Sequence, residues 1–254
     1  MLRFSANLGF LWQELSLPDA IRAAKAAGFD AVECHYPYDT PPEAVREALG
    51  ETGLAMLGLN TARGNVAAGD NGLAAIPGRQ DEARGAIDQA LDYAVAIGAQ
   101  NVHVMAGKAE GEEARATFIA NLRHACERAA AVGVTVLIEP LNRRDAPRYF
   151  LQTADQALDI ISAVGTPNIK LMFDCYHLQI MQGDLTHRLQ AHMAAIGHIQ
   201  IAAVPDRREP DHGEIDYRYL LRFLESLGYD KPIGAEYRPA TTTDAGLAWL
   251  QACR

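Results

Sequence analysis

Apolar positions along this chain fall into two alternating patterns. Short runs with few charges lie around 3–7, 30–35, 54–60, 100–105, 134–139, 168–174, 197–202 and 232–236, and they predict eight buried strands. Each is followed by apolar residues at helical spacing, at about 17–27, 41–50, 79–97, 112–131, 154–164, 186–195, 216–227 and 242–252. Glycine punctuates the return from helix to strand, as in Ala27-Gly28-Phe29, Thr52-Gly53-Leu54, Ile97-Gly98-Ala99, Val132-Gly133-Val134, Ile196-Gly197-His198 and Leu227-Gly228-Tyr229. A glycine just past a helix supplies the left-handed residue that stops it. Pro18-Asp19 and Pro41-Pro42-Glu43 suit first helical turns.

Strands alternating with helices of this length imply parallel pairing through crossovers. Eight such units in 254 residues predict an α/β protein with a single (β/α)8 barrel, a TIM barrel, spanning 1–254. An open doubly wound sheet would carry a glycine-rich phosphate loop after its first strand, and "SANLGF" at 5–10 is not one.

Barrel enzymes place their chemistry at the carboxyl ends of the strands. Those ends here hold Asn7, Glu33 and His35, Asn60, His103, Glu139, Asp174, Gln200 and Glu236. The last four offer three carboxylates and an amide oxygen. Three carboxylates converging without a cation would repel one another. An all-oxygen set without thiolate or a required imidazole points to Mg²⁺ or Mn²⁺ rather than Zn²⁺. Glu139, Asp174, Gln200 and Glu236 are therefore the expected metal ligands.

His177, three residues past Asp174, could serve as a substrate donor, a proton shuttle or another ligand. Asn60 and His103 are further candidates for touching substrate. His35 either points into the mouth or packs on Tyr36, while His124, His187, His192 and His198 read as helix-surface or strand-packing residues. The loop "AAVPDRREPDHGEID" at 202–216 offers Arg207 and Arg208 as forks for a substrate carboxylate. A second loop, "TARGNVAAGDNGLAAIPGR" at 61–79, is either a lid or an ordinary surface loop.

Charge narrows the partners. The formal net charge is −9 with no basic cluster, which disfavours nucleic acid, yet one or two arginines can still hold a small anion. No apolar run reaches the length of a membrane span, and "MLRFSANLGF" lacks a signal-peptide pattern. Four scattered cysteines (Cys34, Cys126, Cys175, Cys253) read as reduced thiols of a cytoplasmic protein.

Nearly end to end, the chain resembles the hydroxypyruvate isomerase family of xylose isomerase-like barrels. The resemblance is carried by "RFSANL", "YPYD" at 36–39, "AAGDNGLAAIPGR", "LIEPLN", "DCYHLQIMQGDLT", "HIQIAAVPDRREPDHGEIDY" and "AEYRPATTTDAGLAWL". It implies a metal held by Glu139, Asp174, Gln200 and Glu236, with the two glutamates also moving protons. In related ketose 3-epimerases the third ligand is His, and Gln at that place resembles the isomerase branch. The implied reaction interconverts hydroxypyruvate and tartronate semialdehyde, with Arg207 or Arg208 on the carboxylate and His177 on an oxygen. "NVHVMAG" at 101–107 and "PDRREPDHGEIDY" also resemble a sister branch acting on 2-oxotetronates. Abasic-site endonucleases share the barrel, but that resemblance would require histidines where Asn60 and Gln200 stand. Related barrels associate through their outer helices, so a dimer or tetramer is expected.

Overall fold

A computed structural model describes residues 2–253, leaving the two ends of the expected domain, 1 and 254, outside the described residues. Nine parallel strands form one sheet: β1 (Phe4–Asn7), β2 (Ala31–Glu33), β3 (Ala55–Met56), β4 (Gly58–Asn60), β5 (Asn101–His103), β6 (Thr135–Ile138), β7 (Ile169–Asp174), β8 (Ile196–Ile201) and β9 (Ile233–Ala235). Their order is β3-β2-β1-β9-β8-β7-β6-β5-β4, so its two ends are consecutive pieces of one chain segment broken at Leu57. Across the break, Leu57 N–H donates to Val32 (2.7 Å) and Cys34 N–H donates to Gly58 (3.0 Å). The predicted third strand, 54–60, is thus one stave of a closed eight-stave barrel, with a local kink.

Period-two side-chain alternation fixes what the barrel encloses. In β1, Phe4 faces outward and meets Trp249 edge to face (centroids 5.3 Å apart), which turns Ser5 and Asn7 inward. Val136 and Ile138, Leu171 and Phe173, and Ile199 and Ile201 likewise join the core between sheet and helices. The intervening Glu139, Asp174 and Gln200 therefore share the barrel interior. Leu171 pairs with Ile196 and Met172 with His198, so Gly197 is an extra residue in β8, a bulge that brings Asp174 level with Gln200.

The outer layer follows the predicted helices closely: α1 (Leu17–Ala26), α2 (Pro42–Thr52), α3 (Gln80–Ile97), α4 (Gly111–Ala130), α5 (Ala154–Val164), α6 (Cys175–Met181), α7 (Leu185–His192), α8 (Tyr217–Ser226) and α9 (Ala248–Ala252). Three expectations change. Gly197 does not stop a helix: α7 ends earlier, a 3-10 turn at Met193–Ala195 follows, and Gly197 lies within β8. The helix expected at 242–252 is a 3-10 turn at Asp244–Gly246 followed by α9. The short helix α6, not expected at all, begins directly from β7 because Asp174 caps it, its Oδ1 accepting Tyr176 N–H at 2.7 Å.

Among the described residues no helix is long and apolar enough to cross a membrane. All four cysteines are free thiols, and Cys34, Cys126 and Cys175 are buried.

Candidate metal centre at the barrel mouth

The mouth opens into a cavity of about 700 Å³ whose walls include Glu139, His177, Arg207 and Glu236. Glu139 follows β6, Asp174 ends β7, His177 lies one turn into α6 and Glu236 follows β9; an oxygen or nitrogen of each falls within 4.8 Å of the others. All four are buried.

Charge crowding sets their protonation. Burial, then the neighbouring charges of Glu236 and Asp174, hold Glu139 well above the ordinary carboxylate range. Asp174 is pushed up to about 7 by burial and Glu236. Burial alone would raise Glu236 too, but the Arg207 guanidinium and His35 reverse it and keep this carboxylate ionised. Arg207 donates to Glu236 Oε2 at 2.7 Å and lies 3.8 Å from Asp174 and 3.4 Å from Asp145. Phe10 and Tyr176 sandwich its guanidinium, at 4.8 and 5.0 Å from the ring centroids.

Among the buried oxygens without a hydrogen-bond partner are Glu139 Oε1, Asp174 Oδ2 and Gln200 Oε1. Orphaned acceptors in a native interior call for an explanation, and an ion is one. Hard oxygen donors of this kind suit a divalent cation such as Mg²⁺ or Mn²⁺. Asp174 Oδ1 caps α6, which leaves Oδ2 buried without a hydrogen-bond partner.

His177 is arranged differently. Asn142 N–H donates to its Nδ1 at 3.0 Å, and burial, then Arg207, keeps the ring neutral. The single ring proton must then sit on Nε2, which lies 3.6 Å from Asp174 Oδ2 and 3.9 Å from Glu139 Oε1. A protonated Nε2 is a donor and has no lone pair for a cation. Gln200 has the complementary orientation: its Nε2 donates to Glu33 Oε2 at 3.3 Å, which leaves Oε1 as the free end.

Of the remaining predicted residues, His103 is buried beside Glu139 (3.6 Å) and held neutral, its pKa lowered by burial to about 4. Asn60 lines the same cavity. Arg208 is not brought to the site: its side chain is 52% exposed and pairs with Asp206 at 3.8 Å.

Asn7, Glu33 and His35 stand at predicted strand ends without an assigned role, and the structure makes them a supporting layer. Asn7 Nδ2 donates to Glu236 Oε1 at 3.0 Å, and His35 Nε2 lies 2.9 Å from the same oxygen, so His35 does point into the mouth. His198 is not a packing residue: it is buried inside the barrel, 2.8 Å from Glu33 Oε2. Its position two residues before Gln200 on one strand was the available signal. Gly234 makes room for this layer, since a Cβ there would stand 2.3 Å from Glu33 Oε1 and 2.8 Å from both Gln200 Cγ and His198 Nε2.

Similarity to known proteins agrees with this geometry. The chain is 49% identical over 255 residues to a 2-oxo-tetronate isomerase of Cupriavidus necator, covering 99% of this chain and 98% of the relative. It is 40% identical to the hydroxypyruvate isomerase of Escherichia coli K12, each chain being covered completely. A crystal structure from Brucella melitensis, described as AP endonuclease, family 2, superposes with a TM-score of 0.96 at 42% identity over the whole of both chains. Residues 21–253 match the family described as xylose isomerase-like TIM barrel, and the chain belongs to that family.

Proposed function

We propose that this protein is a metal-dependent isomerase of small 2-oxo sugar acids, with hydroxypyruvate to tartronate semialdehyde as its reaction. The observation that carries the reading is the convergence of Glu139, Asp174 and Glu236 in one buried cluster, with orphaned oxygens on Glu139, Asp174 and Gln200. Similarity to named isomerases over the full chain supports the reaction class. Mg²⁺ or Mn²⁺ held by Glu139, Asp174, Gln200 and Glu236 would stabilise negative charge developing on the substrate oxygens.

The chain's own residues account for the proton movements. Isomerisation breaks a C–H bond at C3 of hydroxypyruvate and forms one at C2, through an enediolate; the hydroxyl proton passes from O3 to O2. Glu139, whose Oε1 carries no hydrogen bond, and Glu236, held by Asn7, His35 and Arg207, line the same cavity and form the carboxylate pair of which one takes the C3 proton and the other returns one to C2. Nε2–H of His177 is the donor for a substrate oxygen.

The relative at 49% identity favours a second substrate, a 2-oxotetronate. One added hydroxymethyl group changes pocket contacts by only about 1–3 kcal/mol. A DNA substrate is disfavoured by the net charge of −9.

Proton NMR in D₂O, with hydroxypyruvate and 2-oxotetronates offered with Mn²⁺ or with chelator, tests reaction, substrate and metal dependence together. The expected result is metal-dependent deuterium incorporation and aldehyde formation. No incorporation into any of these acids would overturn the reading.

A further inference from the structure

A 2-oxo acid brings a carboxylate into a cavity already crowded with carboxylates, so a cation must receive it. Arg207 is poorly placed to do so, because both its Nη groups are spent on Glu236, Asp174 and Asp145. Arg208 is at the surface. Arg63 and Arg238 both line the cavity of Glu139 and Glu236 and form no ion pair among the described residues, and Arg63 has the closer aromatic support, its guanidinium 4.7 Å over the Tyr36 ring against 5.6 Å for Arg238 over Phe10.

Its loop holds it in place. Arg63 sits in the segment 61–79 after β4, and Gly72 N–H donates to its carbonyl at 2.9 Å. Gly72 also bridges to Ala106, with φ of +104° and no room for a Cβ, which would lie 2.7 Å from Met105 Cβ. Arg79 grips Asp70 at 2.9 Å, and Asp70 in turn accepts Asn65 N–H at 2.8 Å. The segment is a wall tied to the chain after β5 rather than a free lid. A guanidinium stacked on an aromatic face keeps its donor edge open for a bidentate anion.

We propose that Arg63 binds the substrate carboxylate and so selects 2-oxo acids over neutral ketoses of equal length. The inference rests on the reading of the site as a 2-oxo acid isomerase, and equilibrium binding separates the two. D-glycerate is the probe, a reduced analogue of hydroxypyruvate that cannot isomerise, titrated calorimetrically into the Mn²⁺-loaded full chain. Dihydroxyacetone, with a hydroxymethyl group in place of the carboxylate, is the neutral control.

Arg63→Gln is expected to weaken glycerate about 10- to 100-fold, the scale of a lost charge-assisted pair, while dihydroxyacetone is unchanged. Arg63→Lys should recover part of the loss, and Arg208→Gln should bind like wild type. KM for hydroxypyruvate should rise with the glycerate Kd, with kcat changing far less. Unchanged glycerate binding in folded Arg63→Gln or Arg63→Lys protein, equal loss of the neutral control, or no glycerate binding by wild type would each overturn the assignment. Absence of isomerisation with glycerate binding intact would count against the reaction, not against Arg63.

Discussion

The two halves of the barrel mouth contribute unlike chemistry. β6 to β9 and the residues after them carry Glu139, Asp174, Gln200 and Glu236, the oxygen donors of the proposed metal site. From β1, β2 and β5 come Asn7, Glu33 and His103, with His35 just past β2, and these side chains contact the donors. Asn7 and His35 share Glu236 Oε1, Glu33 accepts from Gln200, and His103 flanks Glu139. Buried carboxylates need aim as well as charge, because each can rotate its free oxygens toward any donor. Hydrogen-bond partners opposite them fix which oxygen stays free, which is the usual role of groups surrounding a metal site.

That division can be broken by experiment. Glu139→Gln should show the largest effect, a loss of about 10²- to 10⁴-fold in turnover measured by deuterium incorporation, with glycerate still bound. An equal loss from His35→Phe would erase the distinction between the halves. Asp174→Asn should follow, weakening Mn²⁺ by more than the roughly 10–100-fold that loss of a supporting group costs. Calorimetry of metal binding checks it, and Mn²⁺ affinity equal to wild type would remove Asp174 from the ligand set.

Glu33→Ala tests the aim of Gln200. Mn²⁺ affinity should fall about 10–100-fold, and Glu33→Gln, which keeps an acceptor, should recover part of it. If both variants bind Mn²⁺ like wild type, the Glu33–Gln200 contact has no bearing on the metal. His35→Phe should have the smallest effect: it preserves the edge contact with Phe10 but removes one of three donors on Glu236. About a tenfold fall in kcat is expected, with metal affinity unchanged.

The convergence of Glu139, Asp174 and Glu236 at the strand ends was legible in the sequence. Glu139 before a proline and Glu236 in "IGAEYRP" are charges at the ends of otherwise apolar runs, and such charges need a partner. The supporting half was less legible. Glu33 and His198 are 165 residues apart in sequence, or 198 minus 33, yet lie 2.8 Å apart in space. No local pattern reports a contact formed only when β2 and β8 close around the same axis. Helix α6 was missed because its start depends on Asp174 acting as a cap, a role hidden by its expected role as a ligand.

Period-two alternation, helical spacing and strand-end polarity determined the barrel, its eight staves and the oxygen donors facing inward, since these are properties of a chain read locally. Tertiary structure alone decided between neighbours. Arg207 and Arg208 are equivalent in sequence, but Arg207 adopts a left-handed backbone, φ +57°, and turns between Phe10 and Tyr176 while Arg208 faces solvent. Likewise, Arg63 stood unremarked in its loop until folding set it over Tyr36 beside a cavity full of negative charge. Charge is a property of the residue; which charge meets which depends on the closure of the barrel.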